Sequence, residues 1–389
     1  MPAFARKEYL QRLHRVKCRM QEKGLDLLWV TSPPNMNYLS GYDGWSFYVH
    51  QGLLVSVDAE EPVWIGRHID VNAARITSFL DEANILGYDE SYITDGKHAL
   101  SFVADIVRSR NLGNSRIGVE MDTHYFTAKA YAVLSEELAN ASFFDADHLV
   151  NWARIVKSGA EIAYLREAGA ITDIAMRAAI DAIDVDVRQC DVAGIVFQNL
   201  ISGHPDYFGD MPDYQTLPMG ENTSAPHLTW TDERFKAGDI CTLELGANRY
   251  RYHAPLARTV FVGDPPDGIK RLAAIVGEGL EAALDEIRPG VQAQSIESVW
   301  RGITRRAGLR KESRIGYSVG LGYPPDWGEG TASLAPGDTT ELAENMTFHL
   351  IIGIWNDHYG YELSETFLVT ETGAECLSAL SRELIVKDG

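Results

Sequence analysis

The sequence predicts an α/β domain followed by a larger α+β domain, on three observations. Helical and strand patterns alternate along the first part of the chain, which is typical of an α/β architecture. A complete helix-start signal at Ser158 then interrupts this alternation, and beyond residue 240 apolar residues alternate over several strand-length segments. We expect the two domains to occupy residues 1–152 and 153–389.

The elements of the first domain follow from the spacing of its apolar residues. Residues 7–24 place apolar side chains on one helical face, and residues 25–30 form a short apolar run that predicts a buried strand. Ser32, Pro33 and Pro34 favour turns, so we expect a turn to end this strand. The remaining predictions are paired strands at 51–57 and 62–65, helices at 70–79, 95–110 and 123–138, and a strand at 116–119.

A long helix is expected to begin within residues 150–166, at the start of the second domain. Ser158 and Glu161 stand three residues apart before an apolar periodic segment, which is the pattern of a capping box. Further helices are predicted at 192–201 and 267–287, and strands at 240–245, 258–262, 346–352 and 366–370.

Composition restricts the class of protein. The chain of 389 residues is 45% hydrophobic and has a formal net charge of −20, so a nucleic acid or an anionic membrane is not expected as its main partner. The four cysteines are scattered, without a CxxC pair, and no signal peptide or membrane-spanning apolar run is visible. We therefore expect a soluble cytoplasmic protein.

Seven segments of the second domain carry a resemblance. In chain order they are KSGAEIAYLREAGAITD (157–173), PH (226–227), GDICTLELG (238–246), HAPLARTVFVG (253–263), IGYSVGL (315–321), ENMTFHLIIGIW (344–355) and YELSETFLVTETG (361–373). Together they resemble the pita-bread fold family, which includes methionine aminopeptidase, proline-specific peptidases and creatinase. The first domain is similar to the N-terminal domain of creatinase and the proline peptidases. The resemblance implies a hydrolase with a pita-bread catalytic domain.

The metal ligands of this family are not reproduced in the chain. Metal-dependent members carry two aspartates, one histidine and two glutamates, and the matching positions here are Glu244, Pro255, Tyr317, Ile351 and Ser364. One carboxylate cannot hold a pair of hard divalent ions, which bind several carboxylate oxygens each. We therefore expect no metal site and no other cofactor.

Within the creatinase branch, three runs look closest to the ectoine hydrolases: GYDGWSFYVHQ (41–51), RYHAPLARTV (251–260) and NMTFHL (345–350). This resemblance implies a metal-independent hydrolase that opens the cyclic amidine of ectoine to N-acetyl-diaminobutyrate. Its substrate is then a small zwitterion, and a homodimer is implied. Three alternatives stay open: another creatinase-like amidinohydrolase, a metal-dependent Xaa-Pro peptidase with altered ligands, and a non-catalytic pita-bread binding module.

Three residues are predicted to be catalytic. Strand alternation places Glu244 with Thr242 on one face of the strand at 240–245, and a carboxylate among apolar residues needs a partner or a function. Glu244 is expected to attack the amidine carbon or to orient water, unless it forms a buried salt bridge with Arg258. The resemblance assigns acid–base catalysis to His227, and places Glu365 where it can hold an amidinium nitrogen.

Glu362 competes with Glu365 for that role, and six further residues are predicted to contact the substrate. His253, His349 and Tyr317 are expected to border the cavity. Trp45, Phe47 and Tyr48 form an aromatic group in the first domain, and aromatic faces attract a delocalised cation. Because creatinase-type dimers bring the first domain of one chain over the active site of the other, this group is expected to cover the partner's substrate.

Overall fold

The computed structural model describes residues 2–94, 96–146, 148–213, 215–311 and 313–389. The chain divides into two compact units, Met1–Arg154 and Ile155–Gly389. Each unit has its own hydrophobic core and its own sheet. In the described part of the chain no helix has the length and apolar character needed to cross a membrane.

The first unit is built around a mixed six-stranded sheet of order β4-β3-β2-β1-β5-β6, in which β2 is antiparallel to both neighbours. Its elements are α1 (Arg6–Glu22), β1 (Leu27–Val30), α2 (Pro33–Ser40), β2 (Gly52–Ser56), β3 (Val63–Arg67), α3 (Val71–Thr77), β4 (Ile85–Tyr88), α4 (Ser91–Thr94), α5 (Ala99–Ser109), β5 (Arg116–Val119), α6 (Ala128–Glu137), β6 (Ser142–Asp145) and α7 (Leu149–Arg154).

The turn expected at Ser32, Pro33 and Pro34 is wrong, because these residues begin helix α2. Ser32 takes the N-cap position with an extended backbone, and the two prolines occupy the first helical positions. Proline is tolerated there because the first N–H groups of a helix have no partner within it. The helix predicted at 95–110 has its first residue outside the described residues, and its described part begins at Ala99. Strands β4 and β6 were not predicted.

The second unit contains an eight-stranded sheet whose main path runs β13-β12-β11-β9-β8-β14, with β7 paired to β8 and β10 to β9. Its elements are α8 (Gly159–Ala182), α9 (Gln189–Ser202), β7 (Ile240–Arg249), β8 (Tyr252–Val262), α10 (Asp267–Glu286), α11 (Ala293–Ala307), β9 (Gly316–Tyr323), β10 (Asp326–Ser333), β11 (Thr347–Trp355), β12 (Gly360–Val369), β13 (Ala374–Cys376) and β14 (Ile385–Lys387). Of these, α11, β9, β10, β13 and β14 were not predicted.

Two local predictions in the second unit are confirmed. Ser158 caps α8 by accepting a hydrogen bond from the backbone N–H of Glu161, whose carboxylate accepts one in return from the N–H of Ser158. Strand β7 presents Cys241, Leu243 and Leu245 to a core that α8 and α9 also line. The opposite face of β7 therefore carries Glu244 toward the other strands.

Candidate active site

Glu244 is a buried carboxylate on β7 with few polar partners. Its Oε2 lies 3.5 Å from the hydroxyl of Thr216, and the backbones of these two residues exchange hydrogen bonds. Burial raises the pKa of Glu244 to about 7, against smaller lowering effects of the Thr216 hydroxyl and the Lys311 charge. Near neutral pH this group is therefore divided between its acid and its carboxylate form.

Glu362 on β12 is a second buried carboxylate in the same electrostatic environment. Its backbone N–H and carbonyl both bond to the hydroxyl of Thr259, which fixes β12 beside β8. Its side-chain Oε1 has no hydrogen-bond partner among the described residues. Burial and the charge of Glu244 raise the pKa of Glu362 well above its ordinary range, with Lys311 acting in the opposite direction. The two carboxyl groups therefore favour a state in which at least one holds a proton.

Lys311 adds an ammonium group to this pair from the loop between α11 and β9. Its Nζ donates to the carbonyl of Ile351 at 3.2 Å and lies 4.6 Å from the centre of the Trp355 ring. Burial lowers the pKa of Lys311 to about 8, although the charges of Glu362 and Glu244 counteract that change. The sequence analysis missed this residue, because a lysine in a loop belongs to no periodic pattern.

His349 on β11 is the neutral base of the cluster. Its Nε2 lies 2.7 Å from Oγ of Ser364, and its Nδ1 lies 3.2 Å from the hydroxyl of Tyr317 and 4.0 Å from Oε1 of Glu244. Burial lowers the pKa of His349 to about 3, assisted by the positive charges of Arg314 and Lys311. At neutral pH the imidazole is therefore uncharged and acts as a hydrogen-bonding group.

Tyr317 and Ser364 fix the orientation of that imidazole. Trp327 donates its indole N–H to the hydroxyl of Tyr317 at 2.9 Å, and the backbone N–H of Ala257 donates to Oγ of Ser364 at 2.6 Å. Both residues occupy positions where the metal-dependent relatives of the sequence resemblance carry ligands. Here their hydroxyls are engaged in hydrogen bonds that hold His349.

Glu365 is paired with two arginines and not with Glu244, and its catalytic role stays a prediction. It is fully buried and pairs with Arg258 at 2.7 Å and with Arg382 at 3.1 Å. Successive strand residues point to opposite faces, so Glu365 leaves β12 on the side opposite to Glu362 and Ser364. Glu362 is the residue that interacts with Glu244. The alternative of a salt bridge between Glu244 and Arg258 is excluded by the same pairing.

His253 lies in a separate buried pair. Its Nδ1 is 2.9 Å from the carbonyl of Arg251, and its Nε2 is 3.1 Å from Oδ2 of Asp213. Because Nδ1 faces a carbonyl oxygen, it must carry a proton. No contact within the described residues joins this pair to Glu244. Asp213 had no signal in the sequence, since it belongs to an irregular segment.

His227 is exposed, on the loop that precedes β7. The start of this loop is attached to β12, because the hydroxyl of Thr223 accepts a hydrogen bond from the backbone N–H of Gly360. The structure does not bring the imidazole of His227 into contact with Glu244, and its catalytic role stays a prediction.

Trp45, Phe47 and Tyr48 belong to the first unit. The Trp45 and Phe47 rings lie 5.0 Å apart, and Phe47 packs edge-on against Tyr125 at 5.6 Å. Trp45 is 39% exposed and Tyr48 is 77% exposed. Phe47 and Tyr48 also border a cavity of about 270 Å³, whose other lining residues include Tyr88 and His50. A contact of these rings with substrate stays a prediction.

The donor atoms around Glu244 do not fit a pair of divalent cations. Among the described residues, no three His, Cys, Asp or Glu side chains are arranged to hold a metal ion. Pro255 and Ile351 offer no side-chain donor, and the Lys311 ammonium lies at the Ile351 carbonyl. A positively charged group at this position opposes a bound cation.

Comparison with known proteins agrees with this architecture. Residues 12–156 match the creatinase/prolidase N-terminal domain, and residues 163–371 match metallopeptidase family M24. A protein of Sinorhizobium fredii described as an uncharacterized hydrolase/peptidase is 44% identical, with 99% of each chain covered. The ectoine hydrolase of Halomonas elongata is 39% identical over 99% of this chain and 98% of its own. The solved structure of an Xaa-Pro dipeptidase from Bacillus anthracis has a TM-score of 0.83 at 22% identity, covering 97% of this chain and 99% of that one.

Proposed function

Since this chain belongs to metallopeptidase family M24 and carries a creatinase/prolidase N-terminal domain, we propose that it is a hydrolase that opens the cyclic amidine of ectoine without a metal ion. The observation that carries this proposal is the cluster of Glu244, Glu362 and neutral His349, in which no lysine or arginine of the described residues forms an ion pair with either carboxyl group. The 39% identity to an ectoine hydrolase over almost the whole chain supports the choice of substrate.

The two carboxyl groups suit a planar delocalised cation. An amidinium that enters the cluster brings a positive charge to Glu244 and Glu362, and this charge favours the ionised form of Glu244. In a buried environment the attraction between an amidinium and a carboxylate contributes more to binding than it does in water. Exclusion of bulk water also limits the attacking groups to those that the site itself positions.

Glu244 and Glu362 divide the acid–base work in our proposal. The pKa of Glu244 near 7 makes it the base, and burial together with the Glu244 charge, which raises the pKa of Glu362 well above its ordinary range, makes Glu362 the acid. Water adds its oxygen to the amidine carbon and gives a proton to Glu244. Glu362 then protonates the departing nitrogen and the carbon–nitrogen bond breaks. The added hydroxyl gives its proton to the ionised Glu362 as it becomes the carbonyl oxygen of an acetamide.

A covalent route uses the same geometry, with Glu244 as the nucleophile in place of water. Rapid quenching followed by mass spectrometry distinguishes the two routes, because only the covalent route adds the mass of the substrate to the peptide that contains Glu244. His227 is retained as a second acid–base candidate that reaches the substrate from the exposed loop.

The function is tested by incubating protein treated with a strong chelator with ectoine and following ring opening by NMR. We expect N-acetyl-diaminobutyrate to form at an undiminished rate, and metal analysis to find far less than one equivalent per chain. Ectoine left intact, with creatine turned over in its place, identifies another amidinohydrolase. Loss of activity on chelation, with about two equivalents of manganese, cobalt or iron in the active protein, identifies a metal-dependent Xaa-Pro peptidase.

We further propose that the active form is a cytoplasmic homodimer in which the aromatic group of the first unit contacts the substrate bound by the partner. The exposed rings of Trp45 and Tyr48 support the contact with a substrate cation. The four free cysteines support the cytoplasmic location. Analytical ultracentrifugation tests the dimer. A Tyr48→Ala variant tests the contact, through an increased KM at unchanged kcat.

A further inference from the structure

Lys311 places an ammonium group beside two buried carboxyl groups without pairing with either. Its Nζ is held by one carbonyl oxygen, that of Ile351, and by the face of the Trp355 ring. Within the described residues no oxygen of Glu244 or Glu362 lies at ion-pair distance from Nζ, although both charges act on it. An ammonium has three N–H donors, and one of them bonds to the Ile351 carbonyl, so donors remain that can bind a ligand.

The ammonium of Lys311 comes from the loop before β9 and is held at β11, the strand next to the one that carries Glu362. Nζ of Lys311 is attached to β11 at Ile351, and the register of β11 and β12 pairs Ile351 with Ser364 and Gly353 with Glu362. Two groups of opposite charge are thus available at two neighbouring strands to a small molecule that carries an acid at one end and a cation at the other.

A zwitterion needs a positive partner in this cluster. A substrate carboxylate that approaches Glu244 and Glu362 alone would be repelled by both. The guanidinium groups of Arg258 and Arg382 are committed to Glu365. Arg314 is exposed and covers the outer part of the Tyr317 ring at 4.3 Å.

We propose that Lys311 binds the carboxylate of the substrate and restricts the site to amidines that carry an acid group. This inference rests on the proposed function and deepens it, because it explains how a cluster with two carboxyl groups accepts an acid. Trp355 and the carbonyl of Ile351 hold Nζ in position before the substrate arrives. A neutral or purely cationic amidine gains nothing from this contact.

The test combines a change in the protein with a change in the substrate. Ectoine and the same cyclic amidine without its carboxylate are supplied to the wild type, to Lys311→Met and to Lys311→Arg, and ring opening is followed by NMR. Arg305→Met serves as the control, since Arg305 is a basic side chain of α11 outside the cluster. Thermal melting of each variant reports whether it is folded.

We expect Lys311→Met to lower kcat/KM for ectoine roughly 10- to 100-fold, as for loss of a hydrogen bond between charged groups, and to leave the compound without a carboxylate almost unaffected. Lys311→Arg should keep most of the wild-type preference for ectoine over the compound without a carboxylate. Arg305→Met should have the same preference as the wild type. Equal losses for both compounds in Lys311→Met would overturn the proposal, since Lys311 would then act only through the glutamates.

The wild type alone provides a second arm if Lys311→Met fails to fold. Its kcat/KM for ectoine must be at least tenfold higher than its kcat/KM for the compound without a carboxylate. Equal values for the two compounds contradict the contact between Lys311 and the substrate carboxylate, but they do not contradict ring opening as the function. Wild-type protein that opens neither compound contradicts the proposed function instead. The two failures are thereby distinguished.

Discussion

Oε1 of Glu244 lies 4.0 Å from Nδ1 of His349, and the two side chains reach this position from β7 and β11. The histidine is uncharged at neutral pH because burial lowers its pKa to about 3. It therefore lies beside Glu244 without neutralising it, and the carboxylate stays available to a cationic substrate. This relationship and the position of Lys311 lead to five predictions.

Glu244→Gln and Glu365→Gln form a matched pair of buried substitutions with opposite effects. We expect Glu244→Gln to lower kcat at least 100-fold, because the amide cannot act as base or nucleophile. Glu365→Gln should instead destabilise the fold by about 3–5 kcal/mol, because it leaves Arg258 without its buried partner, while the folded fraction keeps its turnover. Denaturant titration and steady-state kinetics measure both quantities. The assignment fails if the folded Glu365→Gln protein is the inactive one.

The pH profile of kcat/KM should be bell-shaped and narrow. Catalysis needs the carboxylate of Glu244, whose pKa is about 7, so activity rises with pH below that value. Binding needs the ammonium of Lys311, whose pKa is about 8, so activity falls above it. Lys311→Arg removes the alkaline limb, since an arginine stays charged. An unchanged alkaline limb in that variant assigns it to another group.

The free energy of unfolding should also depend on Glu244. Its pKa in the folded protein is about 7 against an ordinary 4.5, so the folded state holds this proton more tightly. The resulting stabilisation is fully present below pH 4.5 and is lost as pH rises through 7. Glu244→Gln should not show this loss of stability, and its free energy of unfolding at pH 8 should exceed that of the wild type by roughly 3 kcal/mol. Parallel stability curves for the two proteins would contradict the raised pKa.

Substrate binding should release protons near neutral pH. An amidinium in the cluster lowers the pKa of Glu244, so the proton that Glu244 holds in part of the free protein passes to the buffer, while Glu362 keeps its proton as the acid. Calorimetric titrations of ectoine in buffers of different ionisation enthalpy measure the number released. Glu244→Gln should release fewer, and proton uptake in the wild type would show that the cation binds elsewhere.

His227→Ala and His349→Ala compare an exposed and a buried histidine. We expect His227→Ala to change the free energy of unfolding by less than about 0.5 kcal/mol and to reduce kcat if its loop delivers a proton to the substrate. His349→Ala removes the partner of Ser364 and leaves a cavity, so it should cost about 2–4 kcal/mol as well as activity. Full turnover by His227→Ala would leave the acid–base work to Glu244 and Glu362.

Local patterns predicted the parts of this molecule that depend on neighbours in sequence. The capping box at Ser158 and Glu161 was readable because its two hydrogen bonds join residues three apart. The inward face of Glu244 was readable because the other face of β7 is continuously apolar. The helix that begins at Pro33 was missed, since prolines fit a helix start as well as a turn.

The choice between Glu362 and Glu365 could not be made from the sequence. Every residue of β12 is buried, so the strand shows no polar and apolar alternation that would reveal its two faces. The predicted strand began at residue 366, six residues after the observed start at Gly360. A difference of one residue in strand phase exchanges the two faces, which decides whether a glutamate meets Glu244 or Arg258.

The sequence by itself determined the family, the order of the two domains and the position of Glu244, because these depend on contiguous motifs and local periodicity. Tertiary structure alone decided which side chains accompany Glu244. Glu362 and His349 come from the consecutive strands β12 and β11 and Lys311 from the loop before β9, all far from Glu244 in the chain, and the pairing of β8, β11 and β12 brings them to it. Their charges acquire unusual proton affinities through burial, a property of the folded surroundings that no single segment carries.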